Sequence, residues 1–400
     1  MPSRRGARVP EFSVLLPTRN GGPYLRTCID SVVRNKDHDL ELIVADNANT
    51  DETAAILDDF GGDGRVRVVH HAKPLSVTEN WMSALEASRG RYVMTIGDDD
   101  YVLPAYFAAI ADAVQKYDRP DCISYNGYSY VFPNSLPGSD ASYFADPHFH
   151  FDADIPMGEL PQRYRRRLVA DMFRFVVRYP LNVQLTTYSR EAVARVPPPF
   201  FRPPFPDHFA INSLLLTAPR FVHLPAKLVV IGLSPKSFGH FAYGGDQAIG
   251  MRYLGSDSQV PDELDGSELT NSMHAWLQLL KTTYPDELGA VEINRAAYVR
   301  RQVAFSALQM RQGAISLAEL RRRGRQLSLA DWFRLLGVVA DRRAWTRVPR
   351  LLAVARRDRA RQHWHGLRPI PGIKNIREFA SWAGDDVPSD GPVLSPAEDN

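Results

Sequence analysis

The chain has 400 residues and a mass of 45.0 kDa, beyond the ~100–200 residues of a typical domain, so two or three structural units around a sizeable core are expected. Hydrophobic residues at 44% and charged residues at 24% are ordinary globular values, which excludes a disordered, collagen-like or disulfide-stapled chain. The formal net charge of +2 hides an asymmetry: residues 295–361 hold seventeen Arg and no Lys against four acids, a net +13, while residues 1–294 carry −8.

Met1 to Pro10 is basic and lacks the apolar stretch and cleavage site of a secretory signal. Glu11–Pro17 (EFSVLLP) reads as a buried strand, and Gly22–Arg34 as a helix with Leu25, Cys28, Ile29, Val32 and Val33 on one side. Leu40–Ala45 is a second strand, Thr50–Phe60 a helix opened by the acids Asp51 and Glu52, Arg65–His70 a third strand, and Ser76–Ser88 a third helix. Arg91–Ile96 gives a fourth strand, Pro104 starts a helix that ends at Tyr117, and Asp121–Tyr125 gives a fifth strand. This alternation predicts right-handed crossovers and an α/β fold, a mostly parallel sheet with helices on both faces. Ligands of such sheets lie at the carboxyl ends of the strands, so the loops after Pro17, Ala45 and Ile96 are expected to form one site.

From Gly127 to Pro161 the pattern gives way to aromatics, Pro, Ser and Asp, a stretch suited to a binding loop or lid. Arg163–Arg178 reads as a helix and Asn182–Tyr188 as a strand; six prolines from Pro197 to Pro206 precede a helix at Asp207–Leu216. The most apolar run, Phe221 to Leu233, is broken by His223, Pro225 and Lys227 and falls short of the ~20 residues of a spanning helix. Beyond Pro261 the periodicity is helical, over Glu263–Thr283, Glu287–Arg311, Ser316–Arg323, Ser328–Ala340 and Pro349–Arg359, and Pro369–Asn400 reads as a flexible tail. The expected units are therefore 1–126, 127–260, a mainly helical basic region 261–368, and the tail 369–400. Two cysteines, Cys28 and Cys122, are too few for a disulfide framework or a zinc cluster, and fit a reducing cytoplasm.

Asp98, Asp99 and Asp100 stand where the fourth strand ends. Three adjacent carboxylates repel one another, and a hard cation neutralises them; oxygen ligands suit Mn2+ or Mg2+, which would bridge to a phosphate. The alternative is a solvated acidic turn, and the position at the end of a buried strand favours the metal. Asp46 ends the second strand in the same layer, where a carboxylate can accept hydrogen bonds from a ribose or a base N–H, whereas Asp51 reads as a helix cap. Thr18, Arg19 and Asn20 follow Pro17 in the first such loop, placed to frame the base.

Taken together, FSVLLPTRNGGPYLRTCIDSV, ELIVADNANTDETAAIL, LSVTENWMSALEASRGRYVMTIGDDD and YVLP resemble the nucleotide-binding half of family-2 glycosyltransferases of the GT-A fold, over roughly residues 11–126. The resemblance implies a Rossmann-like sheet and a metal-dependent, inverting transfer from a nucleoside-diphosphate sugar, a UDP-sugar first among them, to a hydroxyl acceptor that is a glycan, lipid-linked or a small molecule. It places Pro17, Thr18, Arg19 and Asp46 around the nucleotide, and Asp98 and Asp99 at the donor. Asp98 and Asp100 match the Asp-x-Asp motif, with Asp100 the most direct ligand of the ion. Asn80 falls among the donor-side positions in the preceding helix, with no role assigned.

Residues 127–260 then correspond to the acceptor-binding half, where relatives carry a carboxylate base near the start of a helix; Asp207 in FPDHFAINSLL is that candidate, with a helix cap as its alternative. Asp171 is a poorer base, because an i,i+3 pair with Arg174 explains it. SPKSFGHFAYGG resembles the loop that folds over the donor, with His240 a metal ligand and Lys236 and Ser237 near the diphosphate. His70-His71 and His363-x-His365 read as surface pairs.

The Arg-rich end, interleaved with apolar residues, reads as a helical cap on the enzyme or as a peripheral attachment to an anionic membrane face through Arg321, Arg322, Arg323 and Arg325; no nucleic-acid recognition module accompanies it. Two rivals to the transferase are a haloacid-dehalogenase-like phosphatase, because Asp98-Asp99-Asp100-Tyr101-Val102 fits its nucleophile pattern, and a catalytically idle relative that binds a partner. The phosphatase motif belongs on a first strand, and here it follows the fourth.

Overall fold

A computed structural model describes residues 8–136, 139–147, 155–237, 263–339 and 367–385, and the elements below are those of the described residues. Strand β1 (Phe12–Thr18) runs parallel to β2 (Leu40–Asp46), β2 to β3 (Val66–His70), and β4 (Tyr92–Thr95) lies parallel to β1 on its other side. Helices α1 (Gly22–Val33), α2 (Thr53–Asp59) and α3 (Val77–Ala87) make the crossovers. The chain continues through β5 (Tyr101–Val102), α4 (Tyr106–Lys116), β6 (Cys122–Val131), β7 (Tyr143–Ala145), β8 (Gly158–Glu159), α5 (Gln162–Met172), β9 (Thr186–Ser189), α6 (Arg190–Arg195), α7 (Pro206–Thr217) and β10 (Phe221–Leu233). With β11 (Arg368–Pro369) at one end, the sheet order is β11-β7-β6-β9-β4-β1-β2-β3, with β10 parallel to β6 and antiparallel to β5 and β8.

Successive side chains of a strand point to opposite faces, and here both faces are covered. Phe12, Val14, Leu16, Leu42, Val44 and Met94 pack against α1, α2 and α4. Leu15, Ile43, Ala45 and Val93 face the larger core, built with α3, α5 and α7. Every residue of α7 from Phe209 to Leu216 is buried, as suits a helix enclosed on all sides. Helices α8 (Glu268–Thr283), α9 (Pro285–Leu288), α10 (Arg295–Arg311), α11 (Leu317–Gly324) and α12 (Leu329–Val339) extend this side, α8 packing on α7 and α10 on α8. The expected α/β sheet with a helical C-terminal region is therefore present, mixed in direction but with its longest ladders parallel.

Three expectations are corrected. The helix expected over Arg163–Arg178 stops at Met172, where Phe175 takes a left-handed backbone (φ 58°). The strand expected from Asn182 begins as a 3-10 turn, Val183–Leu185, because the Asn182 side chain accepts the Gln184 N–H at 3.0 Å. The tail expected from Pro369 returns to the sheet as β11 (Arg368–Pro369), antiparallel to β7, and α13 (Ile376–Asp385). Ile376, Phe379 and Ala380, an i, i+3, i+4 stripe, bury themselves against Tyr128, Tyr130 and Phe144, and Arg377 bridges to Asp30 of α1 at 2.6 Å.

Candidate active site

Parallel register brings the ends of β1, β2 and β3 level: Thr18 pairs with Asp46, and Asp46 with His70. The loop after β4 joins them, since the Thr18 hydroxyl donates to Asp98 Oδ2 at 2.7 Å. Four of the expected positions, Pro17, Thr18, Asp46 and Asp98, thus meet along one edge of the sheet.

Asp46 is fixed from two sides. Its Oδ1 accepts the Asn49 N–H (3.1 Å) and the Asn49 amide (2.6 Å), and Oδ2 lies 2.9 Å from His70 Nδ1. Burial alone would raise this carboxyl, yet the Asn49 and His70 hydrogen bonds outweigh it and hold it below the usual range, so it stays ionised. His70, expected as a plain surface residue, is exposed but bound to the site; the β2–β3 register is the signal that would have found it. Asn47, the residue after Asp46, clamps the loop before α3: its amide donates to Leu75 O at 3.0 Å and its carbonyl accepts the Leu75 N–H at 2.7 Å. Arg19 donates to Asn47 O at 2.5 Å and to Ala48 O, tying the first loop to the second. The glycine that follows these side chains has a steric reason: a Cβ on Gly21 would lie 2.6 Å from Thr18 Oγ1 and 2.9 Å from Asp98 Oδ2.

The three aspartates are not equivalent. Asp100, expected as the most direct metal ligand, is 2% exposed and turned inward, its Oδ2 accepting the Gly97 N–H at 2.6 Å and its Oδ1 the Gly232 N–H at 2.9 Å. Asp99 Oδ2 accepts from Ser234 Oγ (2.7 Å), Ser237 Oγ (2.5 Å) and the Ser234 N–H (3.3 Å), all just past β10. Asp98 accepts from Thr18 and from the Arg19 N–H. Burial, with the neighbouring Asp99 charge, pushes Asp98 up to about 6 and Asp100 to about 7. β10 can approach this turn because Gly232 has no side chain; a Cβ there would fall 1.8 Å from Asp99 O. From below, the buried Cys28 thiol of α1 donates to Gly97 O at 3.2 Å.

Lys236 reaches back across the site, donating to Asn20 O, with its Nζ 5.3 Å from the centre of the Tyr24 ring and close enough to stabilise ionised Asp98. His240 lies outside the described residues. Among the described residues no three His, Cys, Asp or Glu side chains converge as a complete metal cage. Asp98 and Asp99 do fit a hard divalent ion as partial ligands: burial and the adjacent Asp99 carboxylate disfavour the charge of Asp98, and a cation would relieve both.

Asp207 sits in the first turn of α7. The segment before it is anchored beside the first turns of α3, the Phe201 ring 5.3 Å edge-on to Trp81 and the Phe201 N–H on Met82 Sδ at 3.4 Å, near the carboxyl edge of the sheet. Burial pushes Asp207 up to about 7, against backbone hydrogen bonds from the His208 N–H at 3.0 Å and from its own N–H, and no ion pair reaches it among the described residues. His208, stacked on Phe205 at 4.6 Å, is lowered to about 3 by burial and is neutral. Asn80 is buried in α3, its Oδ1 without a hydrogen-bond partner among the described residues. Asp171 is ion-paired to Arg178 at 3.2 Å and Arg174 at 3.8 Å, which leaves it no part here.

Residues 13–150 match the family model described as Glycosyl transferase family 2. This stretch belongs to that family. The family-2 region carries the loops with Thr18, Asp46 and the three aspartates, whereas Asp207 and Lys236 lie beyond it. The chain is 25% identical over 173 residues to the uncharacterized glycosyltransferase EpsJ of Bacillus subtilis, covering 43% of this chain and 47% of that protein. It is 29% identical over 120 residues to the glycosyltransferase GlyG of Streptococcus pneumoniae, covering 30% and 40%. The chain thus spans less than half the length of these curated relatives. Among solved structures, S. aureus TarS in complex with UDP-GlcNAc aligns at 14% identity and a TM-score of 0.49, covering 79% of each chain. No described helix is long and apolar enough to cross a membrane.

Proposed function

We propose that the chain transfers a sugar from a nucleoside-diphosphate sugar, a UDP-sugar first among them, to a hydroxyl acceptor by single displacement with inversion. The observation that carries this is the joining of the β1, β2 and β4 loops through Thr18, Asp46 and Asp98, with Asp99 and Lys236 beside them. The family-2 match over the same loops supports it. Asp46, held ionised, suits a ribose hydroxyl or a base N–H, and Thr18 and Arg19 frame that end. Asp98 and Asp99 would hold Mn2+ or Mg2+ together with the donor diphosphate, the metal supplying Lewis-acid stabilisation of the departing phosphate oxygen. Asp100 then serves to position the turn.

Asp207 acts as the general base. A carboxyl poised near 7 can take the proton of the acceptor hydroxyl as that oxygen bonds to the anomeric carbon and the bond from that carbon to the diphosphate breaks on the opposite face. Lys236 adds positive charge on the diphosphate side. Incubation with a panel of nucleotide sugars and Mn2+, following release of free nucleoside diphosphate and the anomeric configuration of the product by NMR, tests the reading. Release with inverted configuration is expected; no turnover of any donor with glycan, lipid-linked and small hydroxyl acceptors would leave a binding protein.

A further inference from the structure

Helix α12 turns the wrong face outward for an ordinary surface helix. Leu329, Trp332 and Phe333 repeat at i, i+3, i+4 and form one apolar face. That face points to solvent, with Leu329 79%, Trp332 48% and Phe333 72% exposed, while the acid between them, Asp331, is only 1% exposed. Asp331 fixes the rotation of the helix. Its carboxylate takes two hydrogen bonds from Arg295 of α10 (3.3 and 3.2 Å) and one from Arg334 (2.9 Å), and its Oδ2 also accepts from Ser328 Oγ at 2.9 Å at the start of the helix. Rolling α12 to bury Phe333 would break this paired charge, and a buried charge without its partner is more costly than an exposed ring.

The surroundings extend the face. Leu317 on α11 is exposed, and Trp332 lies over Gly324 at the end of α11, so the arginines of that helix border the aromatic pair. They divide into two kinds. Arg322 pairs with Asp265 (2.6 Å) and Glu319 (2.7 Å), and Arg323 with Glu319 (3.0 Å). Arg321 and Arg325 are exposed and form no ion pair among the described residues.

We infer that α11 and α12 form a surface that binds an anionic phospholipid bilayer, Leu329, Trp332 and Phe333 entering the headgroup–acyl boundary and Arg321 and Arg325 meeting the lipid phosphates. Exposed Trp and Phe rimmed by arginine match that boundary in both polarity and charge. A second copy of the same surface is disfavoured, because it would bring two strongly basic regions, each part of the +13 stretch 295–361, face to face. The inference does not depend on the transferase reading, and an Asp98→Asn variant is expected to bind vesicles as the unaltered protein does.

The test is cosedimentation of the full chain with vesicles of equal parts phosphatidylglycerol and phosphatidylcholine, and with phosphatidylcholine alone. Binding to the anionic vesicles is expected to exceed that to neutral ones ~10-fold at ~0.1 M salt and to fall steeply at ~1 M, where screening shortens to ~3 Å. Trp332→Ser combined with Phe333→Ser should abolish most of it with an unchanged thermal midpoint, since both side chains are exposed. Arg321→Gln with Arg325→Gln should weaken binding and flatten its salt dependence more than Arg322→Gln with Arg323→Gln does. No binding to anionic vesicles at low salt, or equal binding by the Trp332→Ser, Phe333→Ser variant, overturns the inference. So does a dimer in solution that Phe333→Ser converts to a monomer, which would assign the face to a second copy.

Discussion

The two sides of the candidate site are built differently. At the carboxyl edge of β1, β2 and β4 almost every polar group is already held: Asp46 by Asn49 and His70, Asp98 by Thr18, Asp99 by Ser234 and Ser237, and Asp100 by Gly97 and Gly232. At the start of α7, Asp207 is met by backbone donors, the His208 N–H and its own, and among the described residues His208 Nδ1, Asn212 Oδ1 and Asn80 Oδ1 of α3 are buried without a hydrogen-bond partner. Each such atom costs ~1–3 kcal/mol unless water or a ligand completes it. The first edge is preorganised, which lowers the ordering cost of gripping a nucleotide. The second holds its carboxyl near neutrality, the condition for passing a proton.

If that contrast is right, the largest effect comes from Asp207→Asn, which keeps the size of the side chain and its place in the first turn of α7, where Phe205 is the N-cap, but cannot accept a proton. Turnover should fall by on the order of 10²–10⁴ while nucleotide affinity stays within a few-fold, measured by steady-state kinetics beside equilibrium binding. Activity within a few-fold of the unaltered enzyme would place the base elsewhere; the helix-cap alternative does not hold, because Phe205 is the N-cap and Asp207 lies within the first turn that follows it. Next is Gly232→Ala, whose Cβ would have to displace Asp99 O; a loss of ~1–3 kcal/mol in denaturant unfolding is expected, with the preorganised edge loosened.

A smaller effect reverses the usual sign. Because the folded Asp207 carboxyl sits at about 7, above its unfolded value of ~3.9, the unfolded chain binds fewer protons between those values. Its favourable contribution is complete below pH ~4 and is lost as pH rises through 7. Asp207→Asn, which never ionises, should therefore gain stability relative to the parent between pH 5 and pH 8, by ~1–2 kcal/mol after allowance for partial solvent screening. Equal differences at the two pH values would mean that the carboxyl is not perturbed. The smallest change expected is Ser76→Ala, which removes the capping box of α3, where Ser76 Oγ accepts the Glu79 N–H at 3.2 Å and Glu79 accepts the Ser76 N–H at 2.9 Å, at a cost of ~1 kcal/mol in thermal unfolding.

How much of this could be read from the sequence follows the same division. EFSVLLP, LELIVAD and RYVMTI are buried on both faces, so they read as unbroken apolar runs and place the loops that follow them correctly. Within the aspartate triplet, three identical neighbours give no sign of which one turns inward; that is decided by the Gly232 N–H, contributed by a strand far along the chain. The α13 segment was hidden by Pro369, Pro371 and Gly372, which outweigh the short stripe of Ile376, Phe379 and Ala380 when composition is read alone. On α12 the apolar stripe was legible and its direction was not, because the Arg295–Asp331 pair between two helices sets it.

Calorimetric titration of UDP, with and without Mn2+, into the unaltered protein and its Asp98→Asn and Asp99→Asn variants tests the preorganised edge as a nucleotide-diphosphate and metal site. The account predicts binding that requires Mn2+ and weakens ~10–100-fold in each variant, the ~1.5–3 kcal/mol of an interaction with a charged group. UDP affinity indifferent to Mn2+, or unchanged by both substitutions, would contradict it.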